Sequence, residues 1–224
     1  MCTDDPDAAA KVAFANDKGD NVTSRGSMRV DGARHYRTRE SKVSDMPNLV
    51  ENIHHDHINT ARVLDLIEKE IEQARREQMP DLDLVQDAMR YLTNYSDLVH
   101  HRMEDSMFAR LLEKEPSVAR EVEVLKQEHE HLAKMGADFL EIVKAAQSGE
   151  FISRDEVVKR GSEYVGALRS HMDAEEVGLL KRAKASLSDA DLEDIGAQYA
   201  STRDPLMEES LKEQYGTLYR SLME

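Results

Sequence analysis

The sequence predicts an all-α protein: an up-down-up-down four-helix bundle with an N-terminal extension and a C-terminal helical extension. Three observations predict it. The composition suits helices, with aromatic residues at 5%, no Trp, 10 Gly and 5 Pro, and an abundance of Leu, Ala, Glu, Lys, Arg and Met. Apolar residues recur at helical spacing through four long stretches between residues 47 and 184. Short breaks at Pro80, Pro116 and Gly149 part those stretches, which makes chain neighbours antiparallel.

Residues 1–46 mix charges of both signs with few large apolar side chains. Turn signals at Lys18-Gly19-Asp20, Arg25-Gly26-Ser27 and Asp31-Gly32 mark them as a flexible polar extension, with a short hairpin about residues 27–32 as a weak local alternative. The first helix opens at Ser44-Asp45-Met46-Pro47, where Asp45 can cap and Pro47 suits the first turn, and runs to Gln78 with Ile53, His57, Ala61, Leu64, Ile67 and Ile71 on one face. Asp81 caps a second, running to Glu115 through Val85, Leu92, Ser96, Met103, Met107 and Leu111. The third spans residues 117–147, with Val122, Leu125, His129, Leu132, Phe139 and Val143 inward and Gly149 as its stop. Ser153-Arg154-Asp155-Glu156 is a capping box for the fourth, which carries Val157, Tyr164, Leu168, His171, Glu175 and Leu179 to about Lys184. Residues 185–224 form the C-terminal extension, a short helix capped by Ser188 and a last one after Asp204-Pro205 carrying Leu206, Leu211, Tyr215, Leu218 and Leu222. Both extensions leave the same end of the bundle. The C-terminal helices are expected either to fold back as a cover or to serve burial alone or a homodimer contact.

Several function classes drop out early. Thirty Lys and Arg against 45 Asp and Glu give a net charge of -15, which opposes phosphate backbones and anionic membrane surfaces, so no nucleic-acid or membrane partner is expected. The start MCTDDPDAAA lacks a basic and apolar leader, and one cysteine, Cys2, excludes a disulfide framework or a Cys-based metal site. A reducing, cytoplasmic setting is the expectation.

The histidines carry the chemistry. The second helix holds His100 and Glu104 and the fourth His171 and Glu175, each pair four residues apart and so on one face. The first and third helices supply His57 and His129. His57 precedes His100 by 43 residues and His129 precedes His171 by 42, so the bundle reads as two copies of one helix hairpin. Counted from the three turns, the four histidines share one layer to within about a turn. Imidazoles and carboxylates converging in an apolar interior need partners, because each buried unpaired costs several kcal/mol. Metal ions satisfy them together, and two carboxylates able to bridge suggest two ions.

At 100° per residue, His101 shares a polar stripe with Asn94, Asp97 and Asp105, and His131 aligns with Glu128. His54, His55, His101 and His131 are therefore expected on solvated faces or beside the ligands. His54 competes with His57, and Glu176 with Glu175, where the repeat symmetry favours Glu175. Met103, Met107, Met135 and Tyr164 are expected as packing around the layer.

Asp56-His57, His100-His101-Arg102-Met103-Glu104-Asp105, Glu128-His129 and His171-Met172-Asp173-Ala174-Glu175-Glu176 together resemble the hemerythrin-like (HHE) cation-binding family over residues 47–184. The resemblance implies a non-haem di-iron centre, oxo- or hydroxo-bridged, with Glu104 and Glu175 bridging and His57, His100, His129 and His171 as terminal ligands. Imidazole with carboxylate also suits manganese or zinc. Oxygen-carrying members place a second histidine one turn after the third-helix ligand, where this chain has Ala133, so an open coordination position is expected. That ligand set is more like family members of iron-centre repair and of the peroxide or nitric-oxide stress response, although the repair proteins resemble a longer design with a Cys-containing N-terminal domain. The expected function is binding or sensing of oxygen, nitric oxide or iron at the open position, with a small diatomic or peroxide as ligand. The alternatives are a redox enzyme decomposing peroxide or reducing nitric oxide, an iron donor, or a metal-free helical interaction module.

Overall fold

The computed structural model describes residues 48–202, 204–207 and 211–223, and these are helical with no strand among them. The polar extension 1–46, the turns at 27–32 and the Asp45–Pro47 start lie outside the described residues. Helix α1 (Leu49–Arg75) is capped by Asn48, whose side chain accepts from the Val50 amide at 3.1 Å. It ends in a tight turn in which Gln78 N–H donates to the Gln73 carbonyl and Glu77 takes a φ of 62°. Asp81 caps α2 (Leu82–Tyr91), accepting from the Leu84 amide at 3.0 Å. The turn between them is pinned from below, where buried Glu70 accepts from the Asp81 amide at 2.8 Å.

The second expected helix is not one α-helix. Residues Leu92–His100 wind as a π-helix between α2 and α3 (His101–Lys114), with the His101 amide reaching back five residues to the Ser96 carbonyl. Thr93 turns its hydroxyl onto the Met89 carbonyl at 2.9 Å. Pro116 breaks the chain as expected, and α4 (Ala119–Gln147) is closed by Gly149 at φ 85°, a left-handed position natural to glycine. The Ser153 side chain accepts from the Glu156 amide at 3.1 Å and opens α5 (Arg154–Val177). The fourth expected helix breaks at Gly178, where an added Cβ would stand 2.7 Å from the Ala174 carbonyl oxygen, and continues as α6 (Leu179–Ser186).

Apolar packing occurs in two blocks. One gathers Val63, Leu64, Ile67, Leu92, Phe139, Tyr164 and Leu168, and the other Ile53, Met103, Met107, Phe108, Leu111, Leu125 and Leu180. Between them, along each of the four long elements, sit buried histidines and glutamates. The C-terminal extension lies over the α1/α2–α3 side. Helix α7 (Asp189–Gln198), held by a full Ser188/Asp191 capping box, buries Leu192 and Ile195 in the second block, and Asp191 pairs with Arg110 and Lys114. Beyond it, Asp204 accepts from Tyr91 and Asn59, and after α8 (Leu211–Gln214) the helix α9 (Gly216–Met223) brings Leu218 into the first block, with Tyr215 beside it. No helix among the described residues is long and apolar enough to cross a membrane.

Candidate metal centre

The six residues singled out by spacing, His57, His100, Glu104, His129, His171 and Glu175, converge in one layer, and all are buried. Both glutamates are fully enclosed, and each divides its two oxygens between two sides. Glu104 places Oε1 3.2 Å from Nε2 of both His57 and His100, and Oε2 3.6 Å from Nε2 of His129. Glu175 places Oε2 3.4 Å from His57 Nε2, and Oε1 3.4 Å from His129 Nε2 and 3.5 Å from His171 Nε2. The layer thus has a His57/His100 side and a His129/His171 side, with each carboxylate spanning both.

The outer nitrogens are held just as systematically. His100 Nδ1 donates to Asp56 at 3.1 Å, His129 Nδ1 to Asp105 at 3.0 Å, His171 Nδ1 to Glu128 at 3.0 Å and His57 Nδ1 to Glu176 at 2.9 Å. A carboxylate only accepts, so each contact fixes the proton on Nδ1 and leaves Nε2 facing inward. Every one of these acceptors adjoins a site residue of the neighbouring element: Asp56 precedes His57 but holds His100, Asp105 follows Glu104 but holds His129, Glu128 precedes His129 but holds His171, and Glu176 follows Glu175 but holds His57. The four contacts form a closed ring around the bundle. Asp56 also accepts from Tyr95 O–H at 3.0 Å.

These contacts separate the two pairs that sequence left open. His57 is buried, whereas His54 is exposed and rests on Glu176 at 2.9 Å. Glu175 is buried in the layer, and Glu176 lies at its rim holding His57. His55 and His131 are exposed as expected. His101 is not. It is only 3% exposed, stacks on His129 with ring centroids 4.3 Å apart and planes 9° apart, and offers a donor atom that groups within 4.8 Å with those of Glu104, His129 and His171. Of the two placements expected for it, on a solvated face or beside the ligands, it takes the second: the polar stripe rested on 100° per residue, and the wider π turns just before it rotate the residues that follow. The sequence signal for that winding is the run Thr93-Asn94-Tyr95-Ser96-Asp97, poor helix formers inside an otherwise strong helical pattern.

Without a metal, the layer balances its buried carboxylates with protons on the histidines. Burial opposes a charged His57, yet the carboxylates of Glu104 and Glu175 overcome it and raise its pKa to about 11. In the same contest Glu104 and Asp56 bring His100 to about 9, and Asp105 and Glu175 bring His129 to about 10. Burial raises the Asp97 carboxyl to about 7, and burial with neighbouring His129 keeps the His101 ring neutral. Even so, His57 Nε2, His171 Nε2, both oxygens of Glu104 and one of Glu175 have no aligned hydrogen-bond partner although wholly buried. Two ligands set at right angles on one ion at about 2.1 Å have donor atoms about 3 Å apart, close to the spacings found here. The donor set, its orphaned atoms and the outer carboxylates therefore fit metal ions. A surface depression lined by Glu128, His131, Leu132, Ala167, Ser170 and His171 opens between α4 and α5 against this layer.

Residues 48–183, more than half of the chain, match the hemerythrin HHE cation binding domain. No curated protein and no solved structure matches the chain.

Proposed function

Because the chain belongs to the hemerythrin HHE cation-binding family, we propose that it binds two metal ions, iron by preference, and uses them to hold or sense a small diatomic or peroxide ligand. His57 and His100 would hold one ion, His129 and His171 the other, and Glu104 and Glu175 would join both. What carries the reading is the division of each buried glutamate between the two histidine pairs, with oxygens 3.2–3.6 Å from inward-facing Nε2 atoms. When bound, iron supplies open coordination places and a ferrous–ferric couple. The chain's own part is orientation and exclusion of water. The ring of Asp56, Asp105, Glu128 and Glu176 fixes each imidazole, and the apolar blocks flank the layer on both sides and restrict water. In the metal-free chain His57, His100 and His129 hold protons that a metal displaces, so loading releases protons.

The test is anaerobic iron loading, followed by metal analysis per chain and a visible spectrum before and after reduction and exposure to oxygen or nitric oxide. About two irons per chain, an oxo-bridge absorption that bleaches on reduction, and a reversible adduct are expected. Repeated consumption of peroxide or nitric oxide with a reductant would move the protein to the enzyme class. Failure to take up metal would overturn the proposal.

A further inference from the structure

Among the described residues five imidazoles are buried; four are placed as ligands would be, and His101 is placed differently. His57, His100, His129 and His171 each hold Nδ1 at 2.9–3.1 Å from a carboxylate. His101 Nδ1 stands 3.5 Å from Asp97, too far for a strong hydrogen bond, so no carboxylate fixes which nitrogen keeps the proton. The ring orientation is decisive. Imidazoles bound side by side on one ion each contain their own metal–nitrogen bond, and those bonds diverge by about 90°. The planes of His129 and His171 lie 75° apart with centroids 4.7 Å apart, so they intersect and one ion can lie in both. His101 lies parallel to His129, at 9°, so the two rings cannot point at one ion while stacked. Yet a donor atom of His101 sits within 4.8 Å of those of Glu104, His129 and His171. An imidazole that close, turned aside from the ion, faces what else binds there.

We infer that His101 is a ligand-contacting residue: its imidazole N–H donates a hydrogen bond to a small exogenous ligand bound on the His129/His171 side of the layer. The inference rests on the metal-binding reading above and adds to it a preferred side. The protein donors there are His129, His171, Glu104 and Glu175, which leaves room for a small molecule in the ion's shell. Among the described residues no further imidazole joins the His57/His100/Glu104 group. The depression lined in part by His171 opens on the same side. The winding Leu92–His100 is what turns His101 inward, which gives that stretch of π-helix a purpose beyond packing.

Azide is the probe. The iron-loaded full-length chain is titrated with azide in wild type, His101→Ala, His101→Phe and His101→Gln, with iron content and helical circular dichroism measured for each. The expected result is unchanged iron content and an azide dissociation constant about tenfold higher in the Ala and Phe variants, the loss of one hydrogen bond. The Gln variant, whose amide keeps an N–H, should recover most of the affinity. The bound-azide infrared band should shift on transfer to deuterated water in wild type and Gln, and stay fixed in Ala and Phe. If the alanine variant does not fold, the comparison of Gln with Phe decides alone. Loss of iron from folded variants would make His101 a metal ligand and overturn the inference, as would equal azide affinity in all four proteins. A wild-type chain that takes up no iron fails the underlying reading as well, whereas a loaded wild type with indifferent variants fails this inference only.

Discussion

Asp56→Asn tests the ring of outer carboxylates at its most buried point. The Asp56 carboxylate, 11% exposed, accepts from His100 Nδ1 at 3.1 Å and from Tyr95 O–H at 3.0 Å through the same oxygen. Asparagine keeps the shape and loses the charge. A hydrogen bond to a charged acceptor contributes about 1.5–3 kcal/mol and a neutral one about 1, so the His100 contact should weaken by about 1–2 kcal/mol. Because His100 is then a poorer and less well-aimed ligand, metal affinity should fall about 10- to 100-fold. Asp105→Asn is the control: its carboxylate, which holds His129, is 39% exposed, water can replace it, and a few-fold loss is expected. Affinities would come from competition against a chelator of known strength, with circular dichroism to establish that both variants fold. A double-mutant cycle locates the effect. Asp56→Asn should add nothing further in a His100→Ala background and should add fully in a His57→Ala background, although Asp56 adjoins His57 in sequence. Equal losses for Asp56→Asn and Asp105→Asn, or coupling to His57 in place of His100, would refute the cross-helix reasoning.

In the metal-free chain the pKa values of His57, His100 and His129 are raised to about 11, 9 and 10, so their contribution to stability is complete below the unfolded value near 6.5 and disappears as pH rises through that range. Urea midpoints of chelator-stripped protein should fall steadily from pH 6.5 to pH 10, and a rise across that interval would contradict the placement of these histidines beside Glu104 and Glu175. Glu77 holds a left-handed φ of 62° at the end of α1, which costs a side-chain-bearing residue about 1 kcal/mol. Glu77→Gly should therefore raise the thermal midpoint, and an unchanged or lower midpoint counts against that conformation. Ser188→Ala removes the side chain that accepts from the Asp191 amide and donates to its carboxylate, and should destabilise α7 by about 1 kcal/mol. Amide exchange in residues 189–198 should quicken while that in α5 stays unchanged.

Most of the fold was legible because its signals are local. Pro80, Pro116, Gly149 and the capping serines Ser153 and Ser188 mark ends that depend only on nearby backbone. The pairs His100/Glu104 and His171/Glu175 could be read for the same reason, since residues four apart on a helix share a face whatever surrounds them. The ring of outer carboxylates was half legible. Asp56, Asp105, Glu128 and Glu176 stand beside site residues in the sequence, but each serves the histidine of a neighbouring element, a relation set only when the helices pack. The break at Gly178 was hidden because a lone glycine inside a strong amphipathic pattern is compatible with an unbroken helix.

His101 shows where a regular helical period falls short. The assignment of His100 inward and His101 outward follows from a period of 3.6, and no apolar residue between 92 and 100 contradicts it. What changes the period is backbone competition: Thr93 takes the Met89 carbonyl with its hydroxyl, and the amides beyond it reach five residues back. In a regular helix two adjacent residues point about 100° apart, and a wider winding narrows that angle. The wider winding lets His100 and His101 be buried together, one held by Asp56 as a ligand would be, the other stacked on His129 and free of a fixed partner. A chain that restored the α-helical period, for instance through Thr93→Ala and Asn94→Ala, should return His101 toward solvent while leaving Glu104 buried. The measurement is the histidine C2 proton resonance of the metal-free protein. A His101 pKa moving from far below 6.5 toward that value would support the winding as the cause of its burial, and an unmoved resonance would assign that burial to side-chain packing alone.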